Sequence, residues 1–513
     1  MISWRQFPIP GLLILLVLLV FLWRLDGTKL WRDEATTACW AREILQSNHL
    51  PNVWNGRVLM VQAADGHDFN EHYLPAMQGW LQFYVTAIFF KLFGISTFTA
   101  RLPFALLGIF GLWGFFRIGK MVFRDSRYGY WGILIASLTF AYIFYIRQCR
   151  YYAPALFFII FMFQEIIHYL HQREYGANRL FYIKMGIYGI LLYLSNYLTF
   201  ATFWGALFMG LLFTAEKKVI VRFVILSVLL GVILSIEFYL MHWHFVSHAV
   251  GGQSLQIPDY LKILQKNLVH VNRILPFYVM LPLGVVIYFK EFRQHRELRH
   301  TLILVVCVIF FSYLLTAILA GESMFVRYYI QIIPATIILF LLYFHQLQTR
   351  WHPALAVLLL LAGLAWHNLS IFTDLNESVV QRQFLKQDHE NGLLIDFLQK
   401  NCKPGEKVAF YRNVKGMAIF FYCPDLLWVG QLESQHPGNQ KYRGKLPDYV
   451  FDDTPDVDWY ILWDKRKFDM RKVAGYDLRW EYRFNRFKNW WKSRSQTLTY
   501  EVYKRPVNPE NHF

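Results

Sequence analysis

Apolar runs close to 20 residues long recur in this 513-residue chain from its N-terminus to about residue 372. The hydrocarbon core of a bilayer is about 30 Å thick, and a helix crosses it in about 20 predominantly apolar residues. Charged residues make up 17% of the chain, hydrophobic residues 56% and aromatic residues 19%, too little charge for a soluble protein of this length. The pattern specifies a polytopic α-helical membrane protein. Runs at about 8–23, 101–119, 129–146, 153–170, 181–195, 197–214, 223–241, 274–289, 301–320, 326–344 and 353–372 give eleven expected spans, the one at 181–195 being the shortest.

Two segments need a decision. Pro8 to Trp23 resembles the apolar core of a signal peptide, but no small-residue cleavage site follows it, and it reads as an uncleaved first span. Tyr73 to Phe93 is long enough to cross, yet Gln78, Gln82 and Thr86 form a polar stripe at four-residue spacing, which suits a helix lying in the interface. Charge separates these alternatives. If 73–93 does not cross, fourteen Lys and Arg fall in the cytoplasmic segments and six in the short external loops. If it crosses, that asymmetry inverts. The topology is therefore N-terminus inside and C-terminus outside, with a large first external loop, 26–100, carrying juxtamembrane helices. The same asymmetry accounts for the net charge of +17 without any nucleic-acid partner; the partner it implies is the lipid bilayer.

Residues 1–372 make the transmembrane domain. From 373 to 513 the composition changes to longer polar runs with Gly and Pro turns. GLLIDFLQKN reads as an amphipathic helix, KPGEK as a turn, and VAFYR, DWYILWD and LTYEVYKR as strands, so the tail is expected to be a small extracytoplasmic α/β domain that caps or docks an acceptor. The five cysteines have no metal-ligand spacing. Cys402 with Cys423 is the one plausible disulfide, and only in an oxidising compartment.

On the external face, chemistry can be carried by few residues. Asp33 and Glu34, in WRDEATTACW, directly follow the first span. Adjacent positions diverge by about 100° on a helix, so one can act as base while the other binds a metal, orients an acceptor or caps the helix; Asp33 is itself a candidate N-cap. Arg101, Arg147, Arg150 and Arg327 each stand at the external end of a span, where the positive-inside rule selects against them. A buried anion accounts for them, because guanidinium forks match phosphate and stay charged in a low dielectric. Tyr151, Tyr152, Tyr328 and Tyr329 are either interfacial belt residues or ligands of a sugar or phosphate. Asp68, Glu71 and His72, with Asp65 and His67, hold enough carboxylate and imidazole for a divalent cation but lack a ligand spacing, as do the histidines of MHWHFVSH. No Gly-rich phosphate loop occurs, so no soluble nucleotide donor is indicated. Acids, arginines and a membrane fit a lipid-linked phosphosugar as donor, with a carboxylate deprotonating the acceptor and arginines stabilising the departing lipid phosphate.

WRDEATTACWAREIL, NEHYLPAMQGWLQFYVTAIFFKLFG, TARLPFALLG, RQCRYYAPALFF and RYYIQIIPATIILFLLY, in this order, resemble the C-type glycosyltransferases. The likeness is to the bacterial relatives of the dolichyl-phosphate-mannose protein mannosyltransferases, which include the lipid A aminoarabinose transferases. The likeness covers about 25–215 and 320–345, not the tail. It implies an inner-membrane glycosyltransferase acting on the periplasmic side, with a polyprenyl-phosphate-linked sugar as donor and an acceptor that is protein, lipid or glycan. It makes Asp33 the catalytic base with Glu34 as companion, and Arg101, Arg150 and Arg327 the donor site. His72 falls where the family places a His or Lys before Pro-Pro, here replaced by Tyr73-Leu74-Pro75. The second loop, where many members carry an acid, reads Cys149-Arg150-Tyr151-Tyr152, which places more weight on Asp33. Readings of another class are a transporter or lipid flippase, which would need ionisable groups within the spans such as Glu165 and Glu237, and an inactive homologue serving as an assembly partner.

Overall fold

Where the apolar runs stand in the sequence, helices stand in the structure. The computed structural model describes residues 9–46, 49–61, 69–75, 79–172, 174, 178–249, 262–265, 268, 295–320, 326–350, 353–374, 390–410, 416–432, 434–451, 457–463, 476–487 and 495–506. In chain order the helices are α1 (Ile9–Leu22), α2 (Arg32–Gln46), α3 (Leu81–Phe93), α4 (Thr97–Phe123), α5 (Ser126–Leu138), α6 (Phe140–Ile146) and α7 (Tyr152–His171). They continue with α8 (Arg179–Ser195), α9 (Tyr197–Thr214), α10 (Lys217–Ala249), α11 (Arg296–Ala320), α12 (Ile332–Arg350) and α13 (Pro353–Asp374). Contacts divide the chain into two compact units. One is Met1–Leu25, Gln78–Gln82 and Arg101–Gln381; the other is Asp26–Met77, Phe83–Ala100 and Arg382–Phe513.

The first unit is the helical bundle. Among the described residues six helices are long and apolar enough to cross a membrane: α4, α7, α9, most of α10, α11 and α12. The run at 129–146 departs from expectation. It forms two helices, α5 and α6, bent by 70° at Thr139. No Pro or Gly causes the bend; Asn368 on α13 sustains it. Its side-chain oxygen accepts from the Phe140 N–H at 2.7 Å and its amide nitrogen donates to the Leu138 carbonyl at 2.6 Å. Those are the groups that a break leaves without helical partners, and in a bilayer water cannot replace them. α4 and α7 approach closely because Gly111 and Gly114 face Ile160, and a Cβ at Gly114 would collide with that side chain. The expected span at 274–289 lies outside the described residues.

α3 begins at Leu81, not Tyr73, and at 13 residues is about 20 Å long, too short to cross. Its polar stripe faces inward. Gln82 and Thr86 are fully buried together with Phe83, Ala87 and Phe90, while Ile88, Lys91, Leu92 and Phe93 are exposed. In a lipid environment the polar face is the one that gains from protein, which reverses the rule for soluble helices.

The second unit joins the first-loop segments to the tail. The tail helices are α14 (Glu390–Asn401) and α15 (Met417–Tyr422). Its five strands are β1 (Lys407–Phe410), β2 (Leu427–Val429), β3 (Trp459–Trp463), β4 (Asp477–Phe487) and β5 (Ser495–Lys504), in spatial order β2-β1-β3-β5-β4. β1 pairs in parallel with β2 and β3, and β5 is antiparallel to both β3 and β4. Ala409, Val429, Val457, Tyr460 and Leu462 form its apolar core. The expected KPGEK turn is present, with Gly405 at φ +87°, where a side chain would be strained. All five cysteines are unbridged, Cys402 and Cys423 included.

Candidate functional site

Asp33 and Glu34 occupy the first turn of α2 and are both buried, Asp33 with 6% of its surface exposed and Glu34 with none. The helix begins at Arg32, two residues earlier than expected, so the capping role belongs to Glu34 instead of Asp33. Glu34 Oε2 accepts from the Trp31 N–H at 3.3 Å, the return bond of a capping box. Both carboxylates also sit in the first turn of α2, at the positive end of the helix dipole.

The rest of the second unit holds α2 in place. Arg42 is buried and donates through Nη1 to the Phe421 carbonyl and through Nη2 to the Phe420 carbonyl, each at 3.3 Å. Trp40 Nε1 donates to the Met60 carbonyl at 3.1 Å. The Tyr422 hydroxyl accepts from the Leu30 N–H at 2.9 Å and lies 2.6 Å from Thr97 Oγ1. Cys39, fully enclosed beside these groups, has its thiol pushed up to about 12, chiefly by burial and against the pull of Arg42. None of Arg42, Trp40 and Tyr422 stood out in the sequence, because a buried arginine whose partners are carbonyls far along the chain leaves no local pattern.

In the first unit the structure divides the arginines. Arg147 donates through Nη1 to the Val20 carbonyl at 2.7 Å and through Nη2 to the Trp23 carbonyl at 2.6 Å. Arg101 Nη1 donates to the Leu25 carbonyl at 2.6 Å. Both are fully buried and serve the C-terminal end of α1, where unpaired carbonyls and the negative dipole end favour a cation.

Arg150 and Arg327 are placed differently. Arg150 is buried with its guanidinium 5.5 Å from the Tyr151 ring, and Arg327, half-buried in the 3-10 turn Val326–Tyr329, lies 5.7 Å from the Tyr328 ring. The two sets converge. The Tyr151 phenol is raised well above its ordinary range by burial and by Tyr152, while the charges of both Arg150 and Arg327 pull it down; Tyr328 adds a small upward push. Tyr151 and Tyr152 meet edge to face at 4.5 Å, and Tyr145 packs on Tyr152 at 4.9 Å. Tyr145 went unnoticed in the sequence, because the non-helical turn between α6 and α7 is what brings it onto Tyr152. Just beyond the turn, Gln331 Nε2 donates to Thr202 at 3.1 Å and Thr316 at 2.8 Å, tying the Arg327 segment to α9 and α11. The first unit thus contains a patch of one buried and one half-buried cation with several phenols, suited to an anion with a polar ring or tail.

His72 and Glu71 are exposed in a loop of the second unit, and Asp68 lies outside the described residues. Among the described residues, no three His, Cys, Asp or Glu come together as a metal site. The segment of α10 that bears His242, His244 and His248 is described in its backbone only.

No family model and no curated protein matches the chain. Solved structures do. ArnT from Cupriavidus metallidurans in the apo state superposes with a TM-score of 0.54 at 14% identity, covering 96% of this chain and 97% of that one. The same protein bound to undecaprenyl phosphate gives a TM-score of 0.52 at 13% identity with the same coverage. The chain has the ArnT fold over nearly its whole length, and the resemblance to C-type glycosyltransferases carried by its motifs holds at the level of fold.

Proposed function

We propose that the chain is an integral-membrane glycosyltransferase that moves a sugar from a polyprenyl-phosphate carrier to an acceptor on the extracytoplasmic face of the inner membrane. The observation that carries this reading is the Arg150–Tyr151–Arg327–Tyr328 patch at the ends of membrane helices, buried at Arg150 and Tyr151 and half-buried at Arg327 and Tyr328. A guanidinium pair in a low-dielectric setting has one economical use there, holding a lipid-borne phosphate. ArnT, whose fold the chain shares, is known with undecaprenyl phosphate bound, a ligand of that chemistry.

In the reaction, the Asp33 carboxylate accepts a proton from the acceptor hydroxyl or amine, and the freed lone pair attacks the anomeric carbon. The bond from that carbon to the phosphate oxygen breaks with inversion. Arg150 and Arg327 balance the charge that returns to the lipid phosphate. Glu34 keeps the first turn of α2 in place through its bond to Trp31. Arg101 and Arg147 hold the end of α1 and contribute to the donor site through what that end positions. Nothing in this scheme needs a divalent cation.

The transporter reading depends on uncommitted acids inside the bundle. Glu165 is paired with Lys184 at 3.2 Å, and Glu237 accepts from the Tyr193 hydroxyl at 2.7 Å, so both within-span acids have local partners. The test is Asp33→Asn in the purified chain with a polyprenyl-phosphate sugar. Loss of a general base is expected to lower turnover by roughly 100- to 10,000-fold. Unchanged turnover removes Asp33 from the mechanism.

A further inference from the structure

The helices that carry the arginine–tyrosine patch at one end carry a second basic cluster at the other. Arg117, Lys120 and Arg124 follow one another along α4 and just past its end at spacings of three and four, which places them on one helical face. Lys120 is nineteen residues beyond Arg101, about 28 Å along a helix and comparable to the hydrocarbon thickness. The cluster therefore belongs to the opposite membrane face. The last turn of α7 adds two imidazoles. His168 is set by Gln172 Oε1 at 2.9 Å and His171 by Thr301 Oγ1 at 3.4 Å.

These five groups line a cavity of about 520 Å³, within the size range of small-molecule sites. Trp113 and Phe116, stacked at 5.3 Å, wall it on the side nearer the middle of α4. No carboxylate is among its described lining residues; Glu297, in the first turn of α11, interacts with His171 and Arg124 without lining it. Gln164, 3% exposed, also lines the cavity. Its Nε2 donates to Glu165, but among the described residues its Oε1 has no hydrogen-bond partner. A buried acceptor left this way is costly unless a ligand supplies a donor. Snorkelling basic residues explain charge at a membrane face. They do not explain a cavity in which an unmatched buried carbonyl stands on the same face of α7 as two imidazoles.

We propose that this cavity binds a phosphate-bearing anion that also carries a hydroxyl, either a phospholipid headgroup or a soluble phosphate ester. The phosphate sits among Arg117, Lys120 and Arg124, the hydroxyl meets Gln164 Oε1, and an acyl chain, where present, runs along Trp113. The proposal does not depend on the transferase reading.

The full chain, purified in detergent, is titrated with phosphatidylglycerol or phosphatidylcholine and read by native mass spectrometry, with glycerol 3-phosphate as competitor. Lys120→Gln/Arg124→Gln is compared with Lys217→Gln/Lys218→Gln, which removes the same charge at the start of α10. Wild type and the α10 variant are expected to retain phosphatidylglycerol, and the α4 variant to bind it roughly tenfold more weakly or less, since charge-assisted bonds to phosphate are the strong ones. Displacement by glycerol 3-phosphate assigns the site to the headgroup alone; binding that resists it assigns the site to the lipid. Equal binding by the two double variants, equal binding of phosphatidylcholine, or no binding of either phosphate probe by the wild type overturns the proposal.

Discussion

Arg147 and Arg150 are three residues apart, equally basic and both buried, yet the proposed mechanism gives them different work. Replacing Arg147 with Gln removes two charge-assisted bonds to the Val20 and Trp23 carbonyls and leaves the end of α1 uncapped. Hydrogen bonds to charged groups contribute about 1.5–3 kcal/mol each, so the loss is about 3–6 kcal/mol, a large share of a typical folding free energy of about 5–15 kcal/mol. Replacing Arg150 removes, among its other contacts, a cation 5.5 Å from the Tyr151 ring, and that ring contact contributes about 0.5–2 kcal/mol. Its larger effect is on turnover. By analogy with deleting one preorganised stabiliser of developing charge, turnover is expected to fall roughly 100- to 1,000-fold, about 2.7–4 kcal/mol in the barrier. The assay pairs the thermal midpoint of the detergent-solubilised protein with turnover of a polyprenyl-phosphate sugar. Arg147→Gln lowers the midpoint strongly, and its surviving folded fraction stays active. Arg150→Gln keeps the midpoint and loses turnover. Arg150→Lys, which retains charge without the fork, falls between wild type and Gln. The reverse pattern, or two variants that behave alike, refutes the division of roles.

Other consequences follow from single contacts. Glu34→Gln is expected to weaken the α2 start by about 1 kcal/mol while most turnover survives, as measured by the midpoint and kcat; a loss of turnover as deep as that of Asp33→Asn would make Glu34 catalytic. Asn368→Leu leaves the Phe140 N–H and the Leu138 carbonyl unmatched, a cost of about 1–3 kcal/mol each, and faster amide exchange around Thr139 is the local signature to measure. The Cys39, Cys402 and Cys423 thiols, whose ordinary value is 9.0, are each pushed up to about 12, mainly by burial. Above pH 9 the unfolded chain releases these protons and the folded chain keeps them. Stability should therefore fall as pH rises from about 9 towards 12, and less so in the Cys39→Ala variant, measured as denaturation midpoint against pH.

The bundle was legible because length and hydropathy act locally: α4, α7, α9, α11 and α12 all stand where apolar runs predicted them. The tail helix α14 and strands β1, β3 and β5 were legible for the same reason. β4 was overlooked although Leu478, Trp480, Tyr482 and Phe484 alternate with Arg479, Glu481, Arg483 and Asn485, the period of a strand; the high charge of the segment hid it. Three features could not be read locally. The bend at Thr139 lies in an uninterrupted apolar run and is sustained by Asn368, more than two hundred residues away. The amphipathic pattern of α3 marks two faces but does not say which one is inside, since that depends on the solvent. The four external arginines share one sequence signature, and the Leu25, Val20 and Trp23 carbonyls that Arg101 and Arg147 serve lie far away in the chain.

The same reasoning recasts the tail. From composition alone it is an appended module, detached from a motif more than 350 residues upstream. In the second unit its short helix α15 offers the Phe420 and Phe421 carbonyls to Arg42 and the Met417 carbonyl to Cys39, while Tyr422 bonds the strand leading into α2. Lys29, four residues before Asp33, pairs with Asp396 of α14 at 2.5 Å. A helix of 15 residues is marginal by itself, and α2 contains two β-branched threonines in its first half. Its stability must come from packing, and the tail supplies that packing on the side remote from the first turn. In the proposed mechanism the Asp33 carboxylate has to meet an acceptor with ångström precision, and it gains from a support that does not share the mobility of a loop. The position of Asp33 is thus a property of both ends of the chain, although the residue itself stands within its first tenth.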